Sequence, residues 1–366
     1  MVMIIILTLS AIVGGFAYAM KVEMTLARNA DYENDMVWLA RSAVELARYK
    51  ITLRCPGQQN IDALNQPWAG GVQLCNDMIA KVPESVELVC GTPGGTGTAS
   101  FKITDMSRKF DINMVAGPQS PQNIIVLQNA LNQMGVDSGM AQTITDSIQD
   151  WIGPRETHAR LSGAKDDFYM NQQPPYYCKC GYIDDINELL LIKGIKDHPE
   201  IFWGSSSSNH TTSAYELKAQ NSPFLRDREQ PNYPFGLNDV FSAGSGALNL
   251  NTAPMNILQM IPGLDETRAE QIVQTRAGVD RVDGNEDDAP LQNAHDVFQN
   301  QFGATPGGIP GGNPAGQMGQ LLGVQSFLFQ VKVDCTINGY HKEYTGMLRR
   351  DPRKPNDYQL VQFYWK

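Results

Sequence analysis

The sequence predicts an α+β fold, a long N-terminal helix on an antiparallel sheet with a large, mostly helical domain inserted between the strands. Three observations carry this. No proline interrupts the first fifty or so residues before Pro56; strand-like alternation occurs before residue 105 and again after residue 320; helical periodicity dominates between. A lone hairpin is marginal in water, so the two strand groups are expected to complete one sheet, with the helical block as an insertion.

Met1 to Met20 carries no charged side chain. Twenty residues at a rise of ~1.5 Å each cover roughly the ~30 Å hydrocarbon core of a bilayer, so 1–20 is assigned as a transmembrane segment. Lys21 and Glu23 end the apolar run, yet nothing ends the helix. From Met36 onward Met36/Val37, Ala40, Ala43/Val44, Ala47 and Ile51 recur at helical spacing, with Arg41, Glu45 and Arg48 off that stripe. One helix is expected, first in lipid and then packed against a domain. The alternative is a cleavable signal peptide ending near Ala17-Tyr18-Ala19. It requires a basic region ahead of the apolar run, and no basic residue precedes Lys21.

Residues 21–105 form the first part of the sheet domain, with helix 21–52 and strands near 86–104. Cys55-Pro56-Gly57 opens an irregular stretch to about Val82, and Val86–Cys90 and Ala99–Thr104 are the strands, joined by a Gly/Thr/Pro-rich turn. Residues 106–302 are the inserted helical domain, in two related parts, 106–200 and 240–302, parted by the Ser205–Ser208 region. Residues 303–320 are too rich in Gly and Pro to pack and read as a loop. Residues 321–366 supply three more strands. Phe327, Phe329, Val331 and Val333 alternate with Leu328, Gln330, Lys332 and Asp334; Asn338-Gly339 is the dipeptide of a type I′ turn; Tyr340–Leu348 returns, and Tyr358–Trp365 follows two prolines.

Inside the insert, Leu248-Asn249-Leu250-Asn251-Thr252-Ala253-Pro254 precedes a short helix, the turn Pro262-Gly263-Leu264, and a second helix, Glu266–Arg276. This is a helix-hairpin-helix pattern. Ile186–Ile192 followed by Lys193-Gly194-Ile195 repeats its grammar, and Phe110-Asp111-Ile112-Asn113 echoes Ala247-Leu248-Asn249. The insert is therefore read as helix-hairpin-helix or SAM-like repeats. Such hairpins often hold DNA phosphates, but Asp265 stands where a phosphate binder would prefer glycine, and the net charge is −10. Packing or protein docking is the expected role, and no nucleic-acid partner is expected.

Six cysteines (Cys55, Cys75, Cys90, Cys178, Cys180 and Cys335) are disulfide candidates, with pairing left open. Cys178-Lys179-Cys180 lacks the second ligand pair of a zinc site. Asp280, Asp283, Asn285, Glu286, Asp287 and Asp288 offer hard oxygen ligands on one loop, and Asp283, Asp287 and Asp288 are the candidate calcium ligands. The spacing is not that of an EF-hand, and a solvated acidic loop is the plainer reading. No cofactor is required.

No GxSxG, Walker A or HExxH motif occurs. His158, His198, His210, His295 and His341 are scattered, and the neighbouring Asp166 and Asp167 point apart. An enzyme is not expected.

Trp38-Leu39-Ala40-Arg41-Ser42-Ala43, Asp150-Trp151-Ile152, Asp166-Asp167-Phe168-Tyr169, Pro174-Pro175-Tyr176, Ile186–Ile195 and Leu248–Pro254 occur in that order before a β-rich tail. This series resembles the minor pseudopilin K family of bacterial type II secretion systems. The resemblance implies a pilin-like fold interrupted by a helical domain and a place at the tip of a periplasmic pseudopilus. The implied partners are minor pseudopilins of the I and J types and the major pseudopilin. It also implies a single-pass anchor in the bacterial inner membrane with the globular part in the periplasm. A basic leader cut by a prepilin peptidase would lie before Met1.

Fibre subunits of this kind carry a Glu at mature position five that neutralises a neighbour's α-amine within the bilayer. Counted from Met1, that position is Ile5, and the first acid is Glu23. A subunit lacking that carboxylate is expected first in the fibre. Two other readings are a membrane-anchored helix-hairpin-helix DNA-binding protein of a DNA-uptake apparatus and an exported hydrolase.

Overall fold

The computed structural model describes residues 2–53, 58, 60–70, 85–89, 96–116, 120–204, 233–285, 287–294 and 321–365. Two compact units are present: Met1–Arg54, Pro67–Thr104 and Phe329–Lys366 in the first, Cys55–Gln66 and Asp105–Leu328 in the second.

In the first unit, helix α1 (Val2–Thr52) runs without a break. Its apolar N-terminal half is exposed, with Ile5 at 56%, and among the described residues it is the helix long and apolar enough to cross a membrane. Its second half buries Met36, Leu39, Ala40, Ala43, Val44, Ala47 and Ile51, the stripe that helical spacing selects. A five-stranded sheet receives it, in the order β1-β2-β7-β8-β9. The strands are β1 (Ser85–Val89), β2 (Thr96–Asp105), β7 (Leu328–Ile337), β8 (Tyr340–Asp351) and β9 (Lys354–Trp365). Strands from both ends of the chain thus share one sheet. β1 and β2 are antiparallel from Ser85↔Ser100 to Val89↔Thr96.

Between β7 and β8, Asn338 and Gly339 have φ of 49° and 82°, the two positive values a type I′ turn requires. β9 begins earlier than the sequence suggests. Asp351 Oδ1 accepts a hydrogen bond from the Arg353 N–H at 2.8 Å and closes a tight turn. Pro355 lies on an edge strand, in the irregularity between the pairs Asp351↔Lys354 and Arg350↔Tyr358, where proline is tolerated. Small side chains at Ala40, Ala43 and Ala47 let helix and sheet approach closely, and Val44 lies over Gly346. Trp68, Phe329 and Tyr358 meet edge to face, with centroids 5.1 and 5.7 Å apart.

The second unit holds β3 (Phe110–Asp111), α2 (Ser120–Met134), α3 (Ser138–Ile152), α4 (Asp166–Tyr169) and α5 (Pro199–Trp203). It continues with α6 (Leu237–Val240), β4 (Phe241–Ser242), β5 (Leu248–Asn249), α7 (Met255–Leu258), α8 (Glu266–Arg276) and β6 (Leu322–Gly323). β3 pairs in parallel with β4, and β5 in parallel with β6. One continuous hydrophobic cluster runs from Phe110 to Leu322. Cys55–Gln66 also belong to this unit rather than continuing the sheet domain. Ile61 and Ala63 are buried, and the Asp62 N–H donates to the Val324 carbonyl at 2.9 Å.

Candidate functional sites

The chain passes between its units at Gln66/Pro67, Thr104/Asp105 and Leu328/Phe329. On the second-unit side of these passages lie Asp62, Asp105 and Ser326, all buried, with Asn249 and Thr252 of the Leu248–Pro254 motif. The Asn249 amide Nδ2 donates to the Asp62 carbonyl at 2.9 Å and to Ser326 Oγ at 2.7 Å. Ser326 N–H donates to Asp62 Oδ2 at 2.8 Å, and the hydroxyls of Ser326 and Thr252 donate to Asp105 Oδ2 at 2.7 and 2.5 Å. Ser107 N–H reaches Asp105 Oδ1 at 2.8 Å. Burial pushes the Asp105 carboxyl up to about 6 against those hydrogen bonds, and the Asp62 carboxylate adds to the rise. Asp62, Asp105 and Ser326 belong to none of the motifs that the sequence displays. A buried Asp has no sequence signature that separates it from a surface one.

Two asparagines, Asn113 and Asn251, make the same set of hydrogen bonds. Asn113 N–H donates to Asp111 Oδ1 at 3.0 Å, and Asn251 N–H to Asn249 Oδ1 at 2.9 Å. Asn113 exchanges two hydrogen bonds with the backbone of Ile183, and Asn251 does the same with Leu291. Burial raises the Asp111 carboxyl, although the N–H groups of Gly244, Gly246 and Asn113 hold it.

The turn at Pro262-Gly263-Leu264 lies where the sequence puts it. Gly263 has φ of 87°, and Asp265 caps α8 by accepting from the Arg268 N–H at 2.9 Å. Its structural counterpart is Gly135-Val136-Asp137 between α2 and α3, where Gly135 has φ of 83° and Asp137 caps α3. Gly194 (φ 91°) follows a 3-10 turn, Ile186–Leu191, and packs on α3, where a Cβ would come within 2.9 Å of the Ile144 side chain.

The other family motifs converge here. The Trp151 and Tyr169 rings meet edge to face at 5.2 Å, and Tyr169 and Tyr176 lie 5.3 Å apart. Tyr176 Oη donates to the Leu191 carbonyl at 2.6 Å, and the Lys193 N–H donates to Tyr169 Oη at 3.3 Å. Asp150, fully buried, accepts from Arg160 Nη1 at 2.6 Å and from its N–H at 2.9 Å. Asp166 is engaged by Arg155 and by the Cys178 N–H, so it serves structure.

In the acidic loop, both Asp283 oxygens accept from Arg276, at 3.0 and 2.6 Å. Asp287 Oδ2 accepts from the Val279 and Asp280 N–H groups at 2.8 and 3.0 Å, and Asp288 Oδ2 from the Gly284 N–H at 2.8 Å. Asp288 Oδ1 is buried without a hydrogen-bond partner. Asp283, Asp287 and Asp288 are thus held by Arg276 and by backbone donors. Among the described residues no group of three or more His, Cys, Asp and Glu side chains converges as a metal site. Glu286, Cys55, Cys75, Cys90, the Ser205–Ser208 region and the 303–320 loop lie outside the described residues. Cys178 and Cys180 are present as free thiols.

Residues 108–199, which contain the aromatic cluster and the Gly194 turn, match the family described as type II secretion system (T2SS), protein K. The chain resembles type II secretion system protein K. Protein K of Aeromonas hydrophila is 20% identical over 205 residues, covering 53% of this chain and 57% of that one. Protein K of Klebsiella pneumoniae is 27% identical over 97 residues, covering 26% and 28%, respectively. That of Pseudomonas aeruginosa PAO1 is 24% identical over 99 residues, covering 26% and 30%. The chain thus spans about half the length, or less, of the curated relatives it matches. The fold is that of a chain in the crystal structure of the GspK-GspI-GspJ complex from the enterotoxigenic Escherichia coli type 2 secretion system. The TM-score is 0.64 at 16% identity, over 93% of this chain and 99% of that one. None of these comparisons lends support to DNA uptake.

Proposed function

We propose that the chain is a minor pseudopilin of a type II secretion system, seated at the tip of the pseudopilus, where it initiates or caps the fibre. The similarity to protein K across residues 108–199 carries the reading. The partners on this reading are minor pseudopilins of the I and J types and the major pseudopilin, with α1 anchored in the inner membrane and both units in the periplasm.

The tip position rests on charge. An intramembrane carboxylate is costly unless it finds a partner, and the apolar run Met1–Met20 contains none. Such a subunit can accept a neighbour behind it but has no charge reason to sit behind another. The helical unit is read as a pair of SAM-like, helix-hairpin-helix halves used for packing and docking. The matched Asn113 and Asn251 bonds and the Asp-capped glycine turns support that reading.

Gold labelling of the chain on isolated pseudopili tests the placement. Label at one end only is expected, and label along the fibre contradicts it. A gel-shift with duplex DNA at low salt tests the alternative, and salt-sensitive binding would favour it.

A further inference from the structure

We infer that Cys178 and Cys180 form a disulfide within their own loop and that this structure holds the dithiol form. Residues two apart have Cα atoms no more than ~7 Å apart, and a disulfide spans Cα separations of ~4.4–6.8 Å. Cys180 adopts a left-handed φ of 51°, which folds the loop back. Contacts outside the pair fix the loop. Cys178 N–H donates to Asp166 Oδ1 at 2.8 Å, Arg155 Nη2 donates to the Cys178 carbonyl at 2.9 Å, and Gly181 N–H donates to the Trp151 carbonyl at 3.1 Å. Lys179, between the cysteines, is ion-paired to Asp184 at 2.6 Å and to Glu188 at 2.7 Å. The remaining described cysteine, Cys335, lies in the first unit, buried with Sγ 4.0 Å from the Met36 carbonyl.

The two sulfurs are not equivalent. Cys178 is buried, its Sγ–H directed at the Asp150 carbonyl at 3.6 Å, and burial pushes its thiol up to about 12. Cys180 is half-buried, and the Lys165 ammonium lies 3.7 Å from its sulfur, itself held by the Gly153 and Pro154 carbonyls at 3.2 and 2.8 Å. Cys180 is the more exposed of the two, so it is the attacking sulfur and Cys178 the resolving one. The Cys180 thiolate attacks a small-molecule disulfide, forms a mixed disulfide and expels one thiolate. Cys178 then attacks Cys180 Sγ, gives up its proton and expels the second. The two protein thiols are oxidised and one external disulfide is reduced to two thiols.

The full chain in detergent is incubated with glutathione disulfide, blocked with N-ethylmaleimide, denatured and digested with trypsin. Cleavage after Lys165, Lys179 and Lys193 separates the two cysteines into different peptides. The expected product is peptide 166–179 joined to 180–193 and released by reductant, or an uncut 166–193 lighter by two hydrogens. Recovery of the two sulfurs as separate maleimide adducts, or linkage of either to Cys55, Cys75, Cys90 or Cys335, overturns the inference. In single variants of the folded chain, Cys180 in Cys178→Ser should alkylate at least about ten-fold faster than Cys178 in Cys180→Ser. Equal rates contradict the assigned order of attack.

Discussion

Asn251 and Leu291 exchange two hydrogen bonds, amide Nδ2–H to carbonyl at 3.0 Å and main-chain N–H to Oδ1 at 2.8 Å. Asn113 and Ile183 make the same pair at 2.9 and 2.7 Å. A side-chain amide so used imitates a stretch of β-ladder and ties a distant loop to the start of each half. Asn251→Ala removes both bonds and leaves a buried donor and acceptor unpaired, which costs about 2–4 kcal/mol. Denaturant unfolding is expected to show that loss, with a smaller one for Asn113→Ala, because Asn113 is only part-buried. An unchanged midpoint for Asn251→Ala would refute the assignment.

Gly204 and Gly236 press backbone on backbone at the end of α5 and the start of α6. A Cβ on Gly236 would lie 2.2 Å from the Phe202 carbonyl oxygen, and one on Gly204 would lie 2.2 Å from Gly236 N. Gly236 has an ordinary φ of −111°, so its need for glycine is purely steric, whereas Gly204 also has φ of 60°. Gly236→Ala is expected to cost several kcal/mol, and Gly204→Ala at least as much. Thermal unfolding of each variant measures it.

Much of this was legible in the sequence, and what was missed has physical reasons. The stripe from Met36 to Ile51, the union of early and late strands and the Asn338-Gly339 turn follow from periodicity and turn chemistry, which are local. Pro262 marks the turn at Gly263, whereas Gly135-Val136-Asp137 has the same glycine, apolar residue and capping Asp with no proline to mark it. The Asp62–Asp105–Ser326 network joins residues far apart in sequence, and pairing of that kind leaves no periodic trace.

Asp105 makes stability depend on pH. Its carboxyl titrates near 6 in the folded chain against 3.8 as its ordinary value, so the folded state prefers it protonated. The stabilisation is complete below the lower value and is lost as pH rises through the upper one. Between about pH 4 and pH 7 the loss is on the order of 3 kcal/mol. Asp105→Asn should remove it, flattening the pH dependence of the unfolding midpoint relative to the parent chain. Parallel curves for the two proteins would contradict the buried position of this carboxyl.

In the first unit, a Cβ on Gly346 would lie 3.1 Å from Val44 Cγ2 and 3.4 Å from Leu360 Cδ1. Gly346→Val therefore lifts α1 off the sheet and is expected to cost about 1–3 kcal/mol. Val44→Ala in the same chain should recover part of that loss. Additive effects of the two substitutions would mean that they do not share this contact.

The central claim is that the chain is an assembly subunit. Co-expression of the full chain with minor pseudopilins of the I and J types from the same secretion system, followed by affinity purification in detergent through a tag on this chain, tests it most directly. The account predicts that both partners co-elute in equal molar amounts and remain together on gel filtration. Elution of the chain alone, with both partners expressed and folded, would contradict it.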